Sequence, residues 1–208
     1  MNSPAVLNVD FQQSADAAGL LVAPHGRVRF LDVPELRFLM IDGRGAPGEA
    51  QFRDAMGALY PMAYALHFAL KERGLGAPIG TLEGLYGDGT DAPSNASFDP
   101  WTWCLLLAVP APATDDDVAR AIEEVGRTRA PLALPRLRLE RWAEGHCAQT
   151  MHLGPYNEEA ATVALLLQVI ADAGLRPAGR HHEIYLGNPN RTRPDRLRTI
   201  IRLPVEAA

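Results

Sequence analysis

Along this chain apolar residues switch between the two-residue period of a strand and the 3.6-residue period of a helix, and the switches predict the elements. Residues 37–41 read as a first strand, Arg37-Phe38-Leu39-Met40-Ile41. Asp42-Gly43-Arg44-Gly45-Ala46-Pro47-Gly48 then breaks the pattern with turn formers. Over residues 49–73, Phe52, Met56, Leu59, Tyr60, Ala63, Leu66 and Leu70 keep helical spacing, and Gly74 stops the run. Pro61 lies inside it and is expected to kink the helix or split it in two. Residues 81–86 and 101–109 predict two strands joined by a loop rich in Gly, Asp, Pro, Ser and Asn. Thr114 before three aspartates predicts the start of a second helix, with Val118, Ile122 and Val125 as its apolar stripe.

The order then returns. Residues 142–152 predict strand, turn and strand. Gly154-Pro155-Tyr156-Asn157 leads into a helix with Asn157 as N-cap, running to Ala173 and stopping at Gly174. Residues 181–186 and 199–205 predict the last two strands, around a loop at 188–194. Gly74-Leu75, Glu83 and Gly87-Asp88 recur as Gly174-Leu175, Glu183 and Gly187-Asn188, displaced by one hundred positions without a gap. Such self-similarity predicts two copies of one supersecondary unit. The expected fold is therefore α+β: duplicated strand-helix-strand-strand modules forming an antiparallel sheet, with helices on one face and a pseudo-twofold axis. Residues 1–26 are expected to be an N-terminal arm. Residues 27–208 form a single domain, with modules at about 27–112 and 136–208 joined by a helical bridge at 113–135.

Composition narrows the function. A formal charge of -5 argues against a nucleic-acid partner. The arginine-rich runs at 127–141 and 191–202 read as solvated edges. No apolar run spans a membrane and no secretory signal precedes the first strand, so a cytoplasmic location is expected. Cys104 and Cys147 read as buried reduced thiols.

The chemistry concentrates on carboxylates and aromatics. Strand alternation sets His181, Glu183 and Tyr185 on one face, with His182, Ile184 and Leu186 on the other. The repeat pairs Glu83 with Glu183 at matching places, and a cleft between the modules is a natural ligand site. Trp101 and Trp103 share a strand face, and Tyr60 and Tyr64 share a helical stripe. Tyr156 sits at the mouth of the second module's helix. His181 and Glu183, with His152 or His146, have spacing compatible with a metal, but the sequence fixes no third ligand. No metal or cofactor is expected. Gly43-Arg44-Gly45 is too short for a nucleotide loop, and Ser94 and Ser97 lack a nucleophile-elbow context.

Taken together, Gly154-Pro155-Tyr156, His181-His182-Glu183-Ile184-Tyr185-Leu186, Asn188-Pro189, Leu197-Arg198-Thr199-Ile200-Ile201 and Pro204-Val205 resemble the GyrI-like small-molecule-binding domain. Leu82-Glu83-Gly84-Leu85-Tyr86 supplies a looser match in the first half. The resemblance implies a drug-binding cleft between two modules, with Glu183 at the position of the ligand-binding glutamate. It also implies standalone relatives that hydrolyse the cyclopropane of planar DNA-alkylating toxins. On that reading Glu183 is the base, Tyr156 orients water or donates to the substrate, and Trp101, Trp103 and Tyr60 are the walls. Tyr64, Glu83, Tyr185 and His181 complete the expected ligand site. The partner is a planar aromatic or lipophilic small molecule. The alternatives are a non-catalytic drug-binding or sequestering module and a gyrase-interacting protein.

Overall fold

A computed structural model describes residues 10–11, 17–75, 78–87 and 102–208. The chain order is β1 (Asp10–Phe11), α1 (Ala17–Leu20), β2 (Arg29–Arg44), α2 (Ala50–Glu72), β3 (Leu82–Tyr86) and β4 (Thr102–Ala108). It continues with α3 (Asp115–Thr128), β5 (Arg138–Leu153), α4 (Ala160–Asp172), β6 (Leu175–Pro177), β7 (His181–Tyr185) and β8 (Arg198–Ala207). Strand-helix-strand-strand thus occurs on either side of α3, with the short β6 inserted in the second passage.

The expected antiparallel sheet forms and closes on itself. β2, β4, β3, β7, β8 and β5 pair in that order, and β5 pairs back onto β2, making a six-stranded antiparallel barrel. Two 16-residue strands make closure feasible. β2 pairs with β4 through residues 38–44 while holding β5 through residues 29–40. The segment expected as strand, turn and strand is therefore one long strand, β5. β1 adds to β2 in parallel and β6 flanks β8, two elements that the periodicity did not predict.

The three long helices lie outside the barrel. α2 lays Phe52, Ala55, Leu59, Met62, Leu66 and Leu70 over Leu39 and Ile41 of β2 and Trp103, Leu105 and Leu107 of β4. Pro61 leaves it a single helix. α4 packs Val163, Leu166, Val169 and Ile170 against Ala148, Ile201, Leu203 and Phe30. It begins at Ala160, after a 3-10 turn at Tyr156–Glu158, so Asn157 is not its N-cap. Thr114 does cap α3, in a reciprocal box with Asp117. α2 and α4 both stop at a left-handed glycine, Gly74 (φ 71°) and Gly174 (φ 72°). Among the described residues no helix is long and apolar enough to cross a membrane.

Trp103 fixes the α2 face of β4. Its indole stands over Gly43 on the paired strand, meets Phe52 edge-on at 5.3 Å, and donates its Nε1 hydrogen to the Gly45 carbonyl at 3.0 Å. A Cβ at Gly43 would overlap the indole ring. Gly43→Ala is expected to destabilise the protein by about 1–3 kcal/mol through forced displacement of Trp103. A lowered urea midpoint with an unchanged slope checks it.

Candidate functional site

The outer barrel surface is not evenly covered. α2 packs chiefly on β2 and β4, and α4 chiefly on β5 and β6, so the central β3–β7 pair lies between the helices. Gly84 opposes Glu183 and Tyr86 opposes His181 across that pair. Opposed residues of antiparallel strands share a face. Tyr86, His181, Glu183 and Tyr185 therefore project together into the gap. Tyr156 enters from the turn before α4, with its ring 5.4 Å from that of Tyr185. Tyr60 borders it from α2, near enough for its phenol to act electrostatically on that of Tyr156.

Glu159, the residue before α4, completes the group. Its Oε1 lies 3.6 Å from His181 Nε2, which lies 3.4 Å from Glu183 Oε1. The Glu183 side chain is only 12% exposed. Burial, and then the negative charge of Glu183, push the Glu159 carboxyl up to about 7, against the pull of His181. The tyrosines are held neutral. Burial first, then the Glu183 charge, raises both Tyr86 and Tyr156. Burial, Tyr86 and Glu183 raise Tyr185. The Tyr86 and Tyr185 hydroxyls hydrogen-bond to each other at 2.5 Å. The site thus presents two carboxyl groups and an imidazole within a ring of neutral phenols.

Glu83 is not among them. It opposes Ile184 and shares a face with Leu85, which opposes His182, so it points into the barrel. There His182 is clasped from both sides. Its Nε2 lies 2.9 Å from Glu83 Oε2, and its Nδ1 lies 3.0 Å from each Glu144 oxygen. Arg202 donates to Glu144 at 3.0 Å, to Gln149 at 2.8 Å and to the Leu20 carbonyl at 2.7 Å. Burial alone would lower the His182 pKa, but Glu144 and then Glu83 raise it to about 9. Burial would raise the Glu144 carboxyl, yet the His182 charge, followed by Arg202, holds it below its usual range. The repeat register of one hundred placed the two glutamates at equivalent positions, whereas strand pairing puts them on opposite faces of the wall.

Known proteins share both this fold and parts of its sequence. A family model described as a GyrI-like small-molecule-binding domain matches residues 133–206. An uncharacterized conserved protein from Listeria innocua is 32% identical, with a TM-score of 0.81 over 88% of this chain and 94% of that one. A structure described as a hydrolase from Listeria innocua is 31% identical, with a TM-score of 0.76 over 91% of this chain and 96% of that one. This chain belongs to the GyrI-like family. The EcmrR C-terminal domain, 15% identical with a TM-score of 0.50 over 88% of this chain and 98% of that one, shares the fold. No curated protein matches.

Within this GyrI-like domain the structure groups Glu183, Tyr156, Tyr185, His181 and Tyr60 around one gap. Tyr64 lies one turn beyond Tyr60, half exposed and stacked on Phe68 at 6.3 Å. Trp103 is 1% exposed, which places it in the packed core beneath α2 and not on an open wall. Trp101 and residues 88–100 of the intervening loop lie outside the described residues. His152 bonds Thr162 and the Pro155 carbonyl, and His146 bonds Asp32, so neither joins His181. Sequence reading missed Glu159 because the helix was expected to start at Asn157. It also missed Arg202, read as a solvated edge but 3% exposed inside the barrel. The alternation of β8, which sets Arg202 between the outward Ile201 and Leu203, was the available signal for it.

Proposed function

We propose that this protein takes planar lipophilic molecules between α2 and α4 and hydrolyses those carrying a strained, electrophilic cyclopropane. The observation that carries the reading is the Glu159–His181–Glu183 group within a ring of neutral tyrosines. A carboxyl that burial and a neighbouring charge keep protonated up to about pH 7 suits an acid role beside a second carboxyl group placed to act as base. Glu183 takes a proton from water as the water oxygen bonds to the cyclopropyl carbon. The breaking carbon–carbon bond sends its electron pair through the dienone to the carbonyl oxygen, which becomes a phenolate. Glu159, protonated up to about pH 7, delivers the compensating proton. Tyr156 orients the water, and Tyr60 and Tyr185 present ring surfaces to the flat substrate. The similarity to a Listeria innocua hydrolase supports catalysis over binding alone.

Mass spectrometry of a cyclopropane toxin incubated with the protein tests the reading. Gain of one water is expected, and unchanged mass with saturable binding would favour sequestration. The pH dependence tests Glu159. Hydrolysis is expected to decline as pH rises through about 7, where the acid loses its proton. Glu159→Gln, a neutral donor at every pH, should be slower at pH 6 and should lack that decline in single-turnover rates.

The two strand-helix-strand-strand passages are further proposed to be copies related by a pseudo-twofold axis. An axis normal to the sheet preserves faces, so it would pass at the Gly84–Glu183 pair and carry Tyr86 onto Tyr185 and Glu83 onto His182. The bonded Tyr86–Tyr185 hydroxyls would then be the contact of two equivalent residues.

A further inference from the structure

The geometry points to a divalent transition-metal site, of the kind zinc fills, formed by Glu159, His181 and Glu183. His181 is 8% exposed, and among the described residues neither of its ring nitrogens has a hydrogen-bond partner. A buried imidazole left in that state loses its hydration without compensation. The second oxygen of Glu159 is likewise buried and unpartnered. His181 Nε2 nevertheless faces two carboxylates, at 3.4 Å and 3.6 Å. Those separations are too long for charge-assisted hydrogen bonds, which settle near 2.7–2.9 Å. They match another arrangement. Ligand atoms about 2.05 Å from a tetrahedral ion lie about 3.3 Å from one another. All three candidate ligand atoms fall within 4.8 Å of each other, a spread that rotation of one carboxylate closes.

The donor set also selects the ion. One imidazole and two carboxylates suit zinc, or cobalt as its spectroscopic stand-in, whereas magnesium and calcium prefer all-oxygen shells. The two thiols do not compete, because both are buried and burial pushes Cys104 up to about 12 and Cys147 higher still. Three protein ligands from the start of α4 and from β7 leave a fourth position toward the gap. A bound ion would occupy the Glu183 lone pair that water activation requires, so zinc is expected to inhibit the hydrolysis proposed above. The site itself does not rest on that activity, since it needs only the three side chains.

Zinc titration of the full chain by calorimetry, after dialysis against a chelator and with no organic ligand present, tests the inference. One zinc per chain is expected. H181A and E183Q should each weaken binding at least tenfold. E159Q alters a more exposed side chain and serves if H181A fails to fold. H146A, which removes a surface histidine paired with Asp32, should leave the affinity unchanged. Cobalt should give the intense visible absorption of a four- or five-coordinate ion, and H181A should abolish it. Absence of saturable binding, equal affinity in wild type, H181A and E159Q, or loss of binding in H146A would overturn the proposal. Because no cyclopropane substrate enters the titration, its failure leaves the hydrolysis reading standing, and absence of turnover leaves the metal reading standing.

Discussion

Glu183→Gln is expected to lower hydrolysis of a cyclopropane toxin at least tenfold, while planar ligands that cannot react bind almost as before. Glutamine keeps the side-chain shape and a carbonyl acceptor but takes no proton from water, so it separates orientation from base catalysis. Binding should survive because the substitution leaves in place Tyr60, Tyr156 and Tyr185, the rings proposed to hold the flat ligand. Single-turnover rates with equilibrium titration of an unreactive analogue separate the two effects. Equal rates in wild type and Glu183→Gln would transfer the base role to another group, with Glu159 3.6 Å from the shared imidazole as the next candidate. Tyr156→Phe should give a milder loss, since only a hydroxyl is removed.

The largest stability effect is expected at His182, on the opposite face of the same strand. Its imidazole pairs with both Glu83 and Glu144 inside the barrel, with 1% of its side chain exposed. His182→Leu leaves Glu83 buried without its cation and Glu144 dependent on Arg202 alone. Removing one partner of a buried ionic group typically costs about 3–5 kcal/mol. Urea denaturation should show a loss of that size, and adding Glu83→Leu should recover part of it by removing the stranded carboxylate. The pH dependence has a definite sign. The His182 pKa is raised from 6.5 to about 9 on folding, so its contribution is fully present below 6.5 and is lost as pH rises through about 9. Glu144 is shifted down, so its contribution is present above 4.5 and is lost as pH falls below that value. His182→Leu should therefore flatten the decline of wild-type Tm between pH 7 and 10.

Strand alternation makes β7 legible in the sequence itself. It separates His181, Glu183 and Tyr185 from His182 and Ile184, and the structure keeps that division. Period alone does not say which face looks into a closed barrel. That depends on closure, set by pairing between β2 and β5, strands far apart in sequence. The sequence repeat is visible in Gly74 and Gly174, one hundred positions apart, each of which ends a helix. Extending its register to the strands set Glu83 beside Glu183, and a one-residue difference moves a side chain through the sheet. Trp103 looks like a ligand wall in the sequence because aromatic residues serve equally as core. The deciding neighbour is Gly43, whose missing side chain makes room for the indole. Glu159 escapes notice because the turn at Tyr156–Glu158 delays the helix, a boundary that local propensity places poorly.

The most direct test is the position of a bound planar dienone, or its unreactive analogue, in a crystal of the complex. The ligand is expected between α2 and the start of α4, with its electrophilic carbon facing Glu183 and its plane against Tyr60, Tyr156 or Tyr185. A ligand seated instead in the cleft lined by Trp142, Arg138, Cys104 and Arg180, on the far side of the barrel wall, would contradict it.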